Sequence, residues 1–272
     1  MILVQLCWYN MYYKILNPSM CHRMFQYKIG LNTSTKGGGF YICKKKDIGY
    51  WLRLHHNPII CEAVLCEDSV IHKGRRKIRT DKIILQNPLP IREFLGKQDE
   101  DTLIDYVYDD GMNLEYIDQQ TPDICKLALK QNGRSLQFVK NPNKSHYLEA
   151  ITQTGRALQY VHEQTQSLCL HAVKQNGMSL KYVNKQDKTI CMMAVHNNGN
   201  ALKYVKEPTP YIYKVAVEQN GYALQYIEHQ TDELVNLAIL QNPLAKIWKK
   251  SVKAQPVQAK TKAESMDWFY ED

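Results

Sequence analysis

The sequence predicts an α+β N-terminal module followed by an all-α solenoid of short helix–helix repeats. Three observations carry that reading. Glycines recur at Gly111, Gly133, Gly155, Gly177, Gly199 and Gly221, a constant spacing of 22 residues. Each is followed by Leu three residues on, an aromatic at five and a β-branched residue at six, as in Gly177, Leu180, Tyr182 and Val183. A fixed period of this length marks a stacked helical array. Residues 11–97 read differently, as short β-rich runs separated by turn-formers. The expected organisation is an N-terminal extension over 1–10, a small α+β module over 11–97, a solenoid of about seven repeats over 98–249, and a disordered tail over 250–272.

Taken in order, the opening MILVQLCWYN is apolar but short. It lacks a basic leading region, and Lys14 interrupts it, so no signal peptide is expected. Strands are expected in YYKIL, GGFYIC, IICEAVL and KIRTDKIIL, with a helix in DIGYWLRLHH. Gly37, Gly38 and Gly39 lie before a strand rather than between a strand and a helix, and a Walker lysine is absent. A flexible entry to the strand is therefore expected, not a phosphate loop.

In the repeats, Thr121, Asn143, Thr165, Asp187, Thr209 and Thr231 are N-cap types, and Pro122 and Pro210 follow at the first helical position. Positions −9, −8, −5 and −4 from each glycine form one apolar helical face, for example Ile190, Cys191, Ala194 and Val195. The Ala column at −5 implies close helix–helix approach. The glycine is expected to end the helix in left-handed backbone, and the next six residues to form a second, short helix. The first copy, with Tyr106 for Ala and acidic Asp105, Asp109 and Asp110, is expected to be the N-terminal cap. The copy from Thr231, with Pro243 in place of glycine, is expected to be the C-terminal one. Such units cannot bury their own apolar faces, so stacking supplies the core.

Composition narrows the function class. With 44% hydrophobic and 23% charged residues the chain is neither disordered nor fibrous, and no run is long enough to span a bilayer. The formal charge of +8 is uneven: residues 1–97 hold 16 Lys and Arg against 6 Asp and Glu. Attraction to a polyanion therefore belongs to the N-terminal third. Eight cysteines in 272 residues are too sparse for a disulfide scaffold, and no C-x-x-C occurs, which favours a reducing compartment. Cys125, Cys169 and Cys191 share one repeat column and read as small core residues.

MYYKILN from Met11, FQYKIGLN at residues 25–32, GGFY at 38–41 and KIRTDKIILQNPLPI at 77–91 resemble the N-terminal module of large paralogous families in amoeba-infecting, mimivirus-like giant DNA viruses. The text T-x-x-x-C-x-x-A-V-x-Q-N-G-x-x-L-x-Y-V resembles a repeat catalogued there as a domain of unknown function. The resemblance implies a viral protein acting in the host cytoplasm, and it carries no activity or catalytic residues. It also implies a start at Met11, with residues 1–10 an upstream extension.

No catalytic, cofactor or metal residues are expected. Cys61, Cys66, His55 and His56 are the only local metal candidates and lack an ordered ligand spacing. Glu62 or Glu67 would be the strand-borne acid of an ADP-ribosyltransferase-like fold, but its partner residues have no match. The leading expectation is a non-catalytic scaffold that binds a host or viral protein, with no membrane partner. Its candidate surface comprises Arg134, Arg156 and Met178 at position +1, and Lys130, Lys174 and His196 at position −3, columns that vary from copy to copy. The alternative is nucleic-acid binding by the N-terminal module, through Lys73, Arg75, Arg76, Lys77 and Arg79. The aromatic tail residues Trp268, Phe269 and Tyr270 are a further docking candidate, on the solenoid or on a partner.

Overall fold

The computed structural model describes residues 11–22, 25–34 and 39–250. The expected extension over 1–10, the tail beyond Lys250, and Gly37 and Gly38 lie outside the described residues. Nine strands open the described chain: β1 (Tyr12–Leu16), β2 (Cys21–His22), β3 (Phe25–Gln26), β4 (Gly30–Thr33), β5 (Phe40–Lys44), β6 (Ile59–Leu65), β7 (Ile71–Lys73), β8 (Ile78–Thr80) and β9 (Lys82–Pro90). Seven of them form one antiparallel sheet in the order β4-β9-β6-β1-β5-β8-β7, and β2 pairs with β3. Two short helices, α1 (Ile48–Leu52) and α2 (Ile91–Leu95), complete the module.

The strand β1 is buried along its whole length because both faces of the sheet are covered. On one face Tyr12 and Leu16 join Tyr27, Phe40, Ile83 and Leu85. On the other, Tyr13 and Ile15 join Ile48, Leu52, Phe94 and then Leu103, Tyr106 and the repeat core without a break. The module and the solenoid thus share one apolar core.

Each repeat pairs a ten-residue α-helix with a six-residue 3₁₀ helix. The α-helices are α3 (Glu100–Asp109), α4 (Pro122–Gln131), α5 (Lys144–Gln153), α6 (Gln166–Gln175), α7 (Lys188–Asn197), α8 (Pro210–Gln219) and α9 (Asp232–Gln241). All seven start on a side-chain cap, from Asp99, Thr121, Asn143, Thr165, Asp187, Thr209 and Thr231. The short helices run from Gly111–Tyr116 to Pro243–Trp248. They are 3₁₀ because their apolar residues recur every third position, and a helix of three residues per turn puts 0, +3 and +6 on one face.

The repeat glycines do not adopt left-handed backbone, contrary to expectation. Positive φ among described glycines occurs at Gly30 and Gly39. What excludes a side chain is the next copy: a Cβ on Gly111 would lie 2.5 Å from the Ala128 carbonyl oxygen, and each later repeat glycine meets the next Ala carbonyl in the same way. The helix ends instead on an extended residue, mostly Asn, whose side chain caps the 3₁₀ helix, as Asn176 does for the Met178 N–H at 3.0 Å.

The Q-N-G text is thereby explained letter by letter. The Asn caps, and the glycine permits contact. The Gln (Asn197 in one copy) accepts from the glycine N–H of the copy before it, at 2.5–2.9 Å across six interfaces. A second glutamine makes a further staple in four of the copies. Gln120, Gln164, Gln186 and Gln230 donate to the carbonyls of Phe138, Tyr182, Tyr204 and Trp248. They accept from the N–H groups of Lys140, Asn184, Lys206 and Lys250. Pro243 has no N–H to offer a further copy, so this ladder of bonds stops there without an orphan donor.

The first copy, expected to be the N-terminal cap, is an adaptor to the module. Tyr106 is fully buried under the module, and its hydroxyl donates to the Lys45 carbonyl at 3.0 Å. Gly49 of α1 meets it as a repeat glycine would: a Cβ there would lie 2.7 Å from Tyr106 Cα. Asn113 Nδ2 donates both to the Gly49 carbonyl and to that of Tyr106. The run Gly49, Tyr50, Trp51, Leu52 supplies the glycine and the Leu at +3 of a repeat, so α1 stands in for a preceding copy.

Candidate functional site

Two surfaces gather the residues expected to act. Along the solenoid, every −3 position is exposed: Tyr108, Lys130, Thr152, Lys174, His196, Glu218 and Leu240. Each sits in the last turn of its α-helix, so the column repeats at the pitch of the stack. The +1 column is mixed. Arg134 and Arg156 are exposed, whereas Met112, Met178, Asn200 and Tyr222 are half-buried. Met112 shows why: its thioether accepts from Ser135 Oγ of the next copy, at 3.8 Å. Met178 is therefore partly consumed by packing, unlike the free surface residue expected.

The second surface lies where module meets solenoid. The β7–β8 hairpin carries the basic cluster, and its turn is closed by Gly74 N–H donating to the Lys77 carbonyl at 2.8 Å. Lys73, Arg75 and Lys77 are exposed and Arg79 is half-exposed. Arg76 differs from the phosphate contact expected of it. Its guanidinium pairs with Asp109 at 2.8 Å and lies 4.7 Å from the Tyr50 ring centroid, with Arg53 also over that ring at 4.3 Å. The Arg76 carbonyl accepts from Trp51 Nε1 at 2.9 Å. Arg76 thus fastens the hairpin to α1 and α3, leaving its neighbours to face outward.

Aromatic residues are absent from the basic stretch in sequence but present beside it in space. Lys77 Nζ lies 4.6 Å from the Tyr41 ring. Tyr50, Trp51 and Tyr108 line the concavity beside Arg75 and Arg76, while Tyr41 borders the one beside Lys73 and Arg79. Between these two depressions a cavity of about 200 Å³ opens, walled by Tyr13, Ile15, Tyr41, Cys43, Trp51 and Leu54. Lys14, His55 and Lys77 also border it, and Lys77 borders all three hollows.

The cavity exists because two strands part. The β1–β5 ladder pairs Tyr12 with Lys44 and Tyr13 with Cys43, then stops. Lys14, 5% exposed, reaches into the parting and donates to the Tyr41 carbonyl at 2.9 Å. Its ammonium also lies 5.0 Å from the Tyr27 ring. Burial away from water lowers its pKa to about 8, against smaller opposing pulls from Cys43 and Cys61. Burial likewise pushes the Cys43 thiol up to about 12 and that of Cys61 to about 11. Neither thiol is a ready nucleophile at neutral pH. Lys14 was not among the expected residues. Its signal was a lone charge in the middle of the apolar strand YYKIL.

The remaining candidates are not brought together. Glu62 accepts from Asn87 Nδ2 at 2.7 Å, and Glu67 is exposed in the turn beyond β6 rather than borne on the strand. Among the described residues no three His, Cys, Asp or Glu side chains are placed to hold a metal ion, and Cys61 is fully buried. Cys125, Cys169 and Cys191 are buried core residues whose thiols point at the stapling Gln120, Gln164 and Gln186, at 3.5–3.8 Å. Among the described residues no helix is long and apolar enough to cross a membrane.

These features define a helical-repeat protein with a sheet module docked on its first copy. A family model described as Domain of unknown function (DUF4116) matches residues 165–208, which are two consecutive copies of the repeat from the cap of α6 onward. No curated protein and no solved structure matches the chain.

Proposed function

We propose that the chain is a non-catalytic scaffold that holds an extended segment of a host or viral protein along the −3 column. The observation that supports it most directly is the uniform exposure of that column on a stack whose copies are locked by glycine–glutamine bonds. Residues bonded in this way keep a fixed pitch, and a fixed row of side chains can read successive positions of an extended peptide. Lys130 and Lys174 make the middle of the row cationic, so the segment it fits is acidic. The text shared with the giant-virus families supports a role in the host cytoplasm. Panning a random peptide library against the full chain tests the reading. Enriched peptides are expected to be acidic and to lose about ten-fold or more in affinity when Lys130, Lys174 and His196 are changed together to Ala, with the thermal midpoint nearly unchanged. Enriched peptides indifferent to that triple change would reject the column as the binding face.

A second reading is favoured by one observation. Lys73, Arg75, Lys77 and Arg79 share the hairpin with aromatic neighbours, a combination suited to a polyanionic backbone. On this reading the module binds nucleic acid through its phosphates, with Arg76 holding the hairpin in place.

A further inference from the structure

The cavity between β1, β5 and α1 has features that phosphate attraction alone does not require. It is closed on the sheet side by Tyr13, Ile15 and Cys43 and on the helix side by Trp51 and Leu54. At about 200 Å³ it is smaller than the ~300 Å³ or more of pockets for drug-sized ligands. It has room for one planar heterocycle. Lys14 and Cys43 border its sheet side, the Lys14 ammonium bonded to the Tyr41 carbonyl and the Cys43 thiol to the Tyr13 carbonyl at 3.7 Å. Hollows bordered by cations adjoin it on both flanks: Arg75 on one, where Arg76 is paired with Asp109, and Lys73 and Arg79 on the other, with Lys77 common to all.

An apolar slot between two cationic shoulders matches one kind of polymer. The slot takes a flat ring, and the shoulders take the charges before and after it along a chain. We propose that this cavity receives one unstacked base of a single-stranded nucleic acid whose flanking phosphates lie along the basic hairpin. The inference rests on the second reading above and adds a base-binding step to it. Duplexes are poor occupants because their bases are already stacked, and extracting one costs a few kcal/mol. An acidic peptide would satisfy the shoulders but leave an aromatic-walled slot unfilled. Trp51 is the main stacking surface, held by its Nε1 bond to the Arg76 carbonyl. The same arginine is pinned by Asp109 of α3, so the slot depends on the module staying docked.

The test uses the full chain and three probes of equal length: a single-stranded oligonucleotide, the same strand with abasic sites throughout, and the corresponding duplex. Binding is read by fluorescence anisotropy at low salt. The single strand is expected to bind about ten-fold more tightly than either other probe, since base–aromatic stacking contributes roughly that much. Trp51→Leu should erase this preference while keeping the weaker binding of the abasic strand. Changing Lys73, Arg75 and Lys77 together to Ala should weaken all three probes alike. Circular dichroism melting of each variant confirms that it folds; if Trp51→Leu does not, the milder Leu54→Gln takes its place. Equal affinity for the intact and abasic strands would overturn the base slot while leaving phosphate binding in place. No binding of any probe would overturn both.

Discussion

Lys14 is the residue at which burial and charge conflict most sharply. In the unfolded chain its pKa is the ordinary 10.5, and burial in the fold lowers it to about 8. Below about pH 8 both states carry the proton, and the folded state bears the full cost of burying it. Between about 8 and 10.5 the folded chain releases the proton first, so stability rises with pH. Cys43 and Cys61 act in the opposite sense, because their thiols ionise near 9.0 when unfolded and only at about 12 and 11 when folded. The lysine's contribution is therefore cleanest between neutral pH and the thiols' 9.0. Stability of the native chain, measured by urea melts, should rise through that window by at most about 1.4 kcal/mol per pH unit. Lys14→Met should flatten the rise. A native chain whose stability stays flat or falls through the same window would show that burial does not lower the Lys14 pKa.

At the scale of the element, the repeat glycine separates two physical causes that look identical in sequence. A glycine after a helix commonly marks left-handed backbone, and Asn substitutes well there. These glycines instead face the carbonyl of the next helix, so any Cβ is excluded. Gly177→Asn and Gly177→Ala should both destabilise by about 1–3 kcal/mol or more through overpacking. Lys181→Ala, on the exposed side of the same 3₁₀ helix, should stay within about 0.5 kcal/mol. Tolerance of Asn at 177 would restore the left-handed explanation. The caps, the apolar face and the Ala column were legible in the sequence because each is local or periodic. A second, short helix was legible too, in the spacing of three from Gly177 to Leu180 to Val183, and the structure gives its 3₁₀ form. The role of the glutamines was not, since Gln131 and Gln120 act on partners 20 and 18 residues away. One correlation in the sequence does carry it. Gln120, Gln164 and Gln186 are each followed five residues on by Cys, whereas Pro142 and Pro208 in the same column are followed by Tyr147 and Tyr213. Both tyrosines pack partly buried against the core. Gln with a small residue, Cys or the Val235 that follows Gln230, and Pro with Tyr are two fillings of one slot.

At the scale of the molecule, the question is whether the module and the solenoid are two bodies or one. Sequence reading separates them, because a period of two gives way to a period of 22 near residue 98. The basic site shares this obscurity: its cations are contiguous in sequence, but Tyr41, Trp51 and Tyr108 come from a strand, a helix of the module and a helix of the solenoid. The interface residues behave as one more repeat junction. Gly49 takes the glycine's place, Leu52 is fully buried beneath it, and Tyr106 and Asn113 bond back to the module. In a stack where each unit touches only its neighbours, damage at one junction propagates weakly with distance. Gly49→Val forces a side chain against the backbone of Tyr106, which cannot yield as a flexible side chain would. Hydrogen exchange on the full chain should therefore accelerate in β1 and α3 together, less in α5, and scarcely in α8 and α9. Gly221→Val, at the far end, should give the mirror image, with α8 and α9 opening and the sheet protected. If Gly49→Val left α3 as protected as in the native chain, the module would be a separate body merely adjoining the stack. The slot beside Trp51, which needs Arg76 pinned to Asp109, would then lose its structural support.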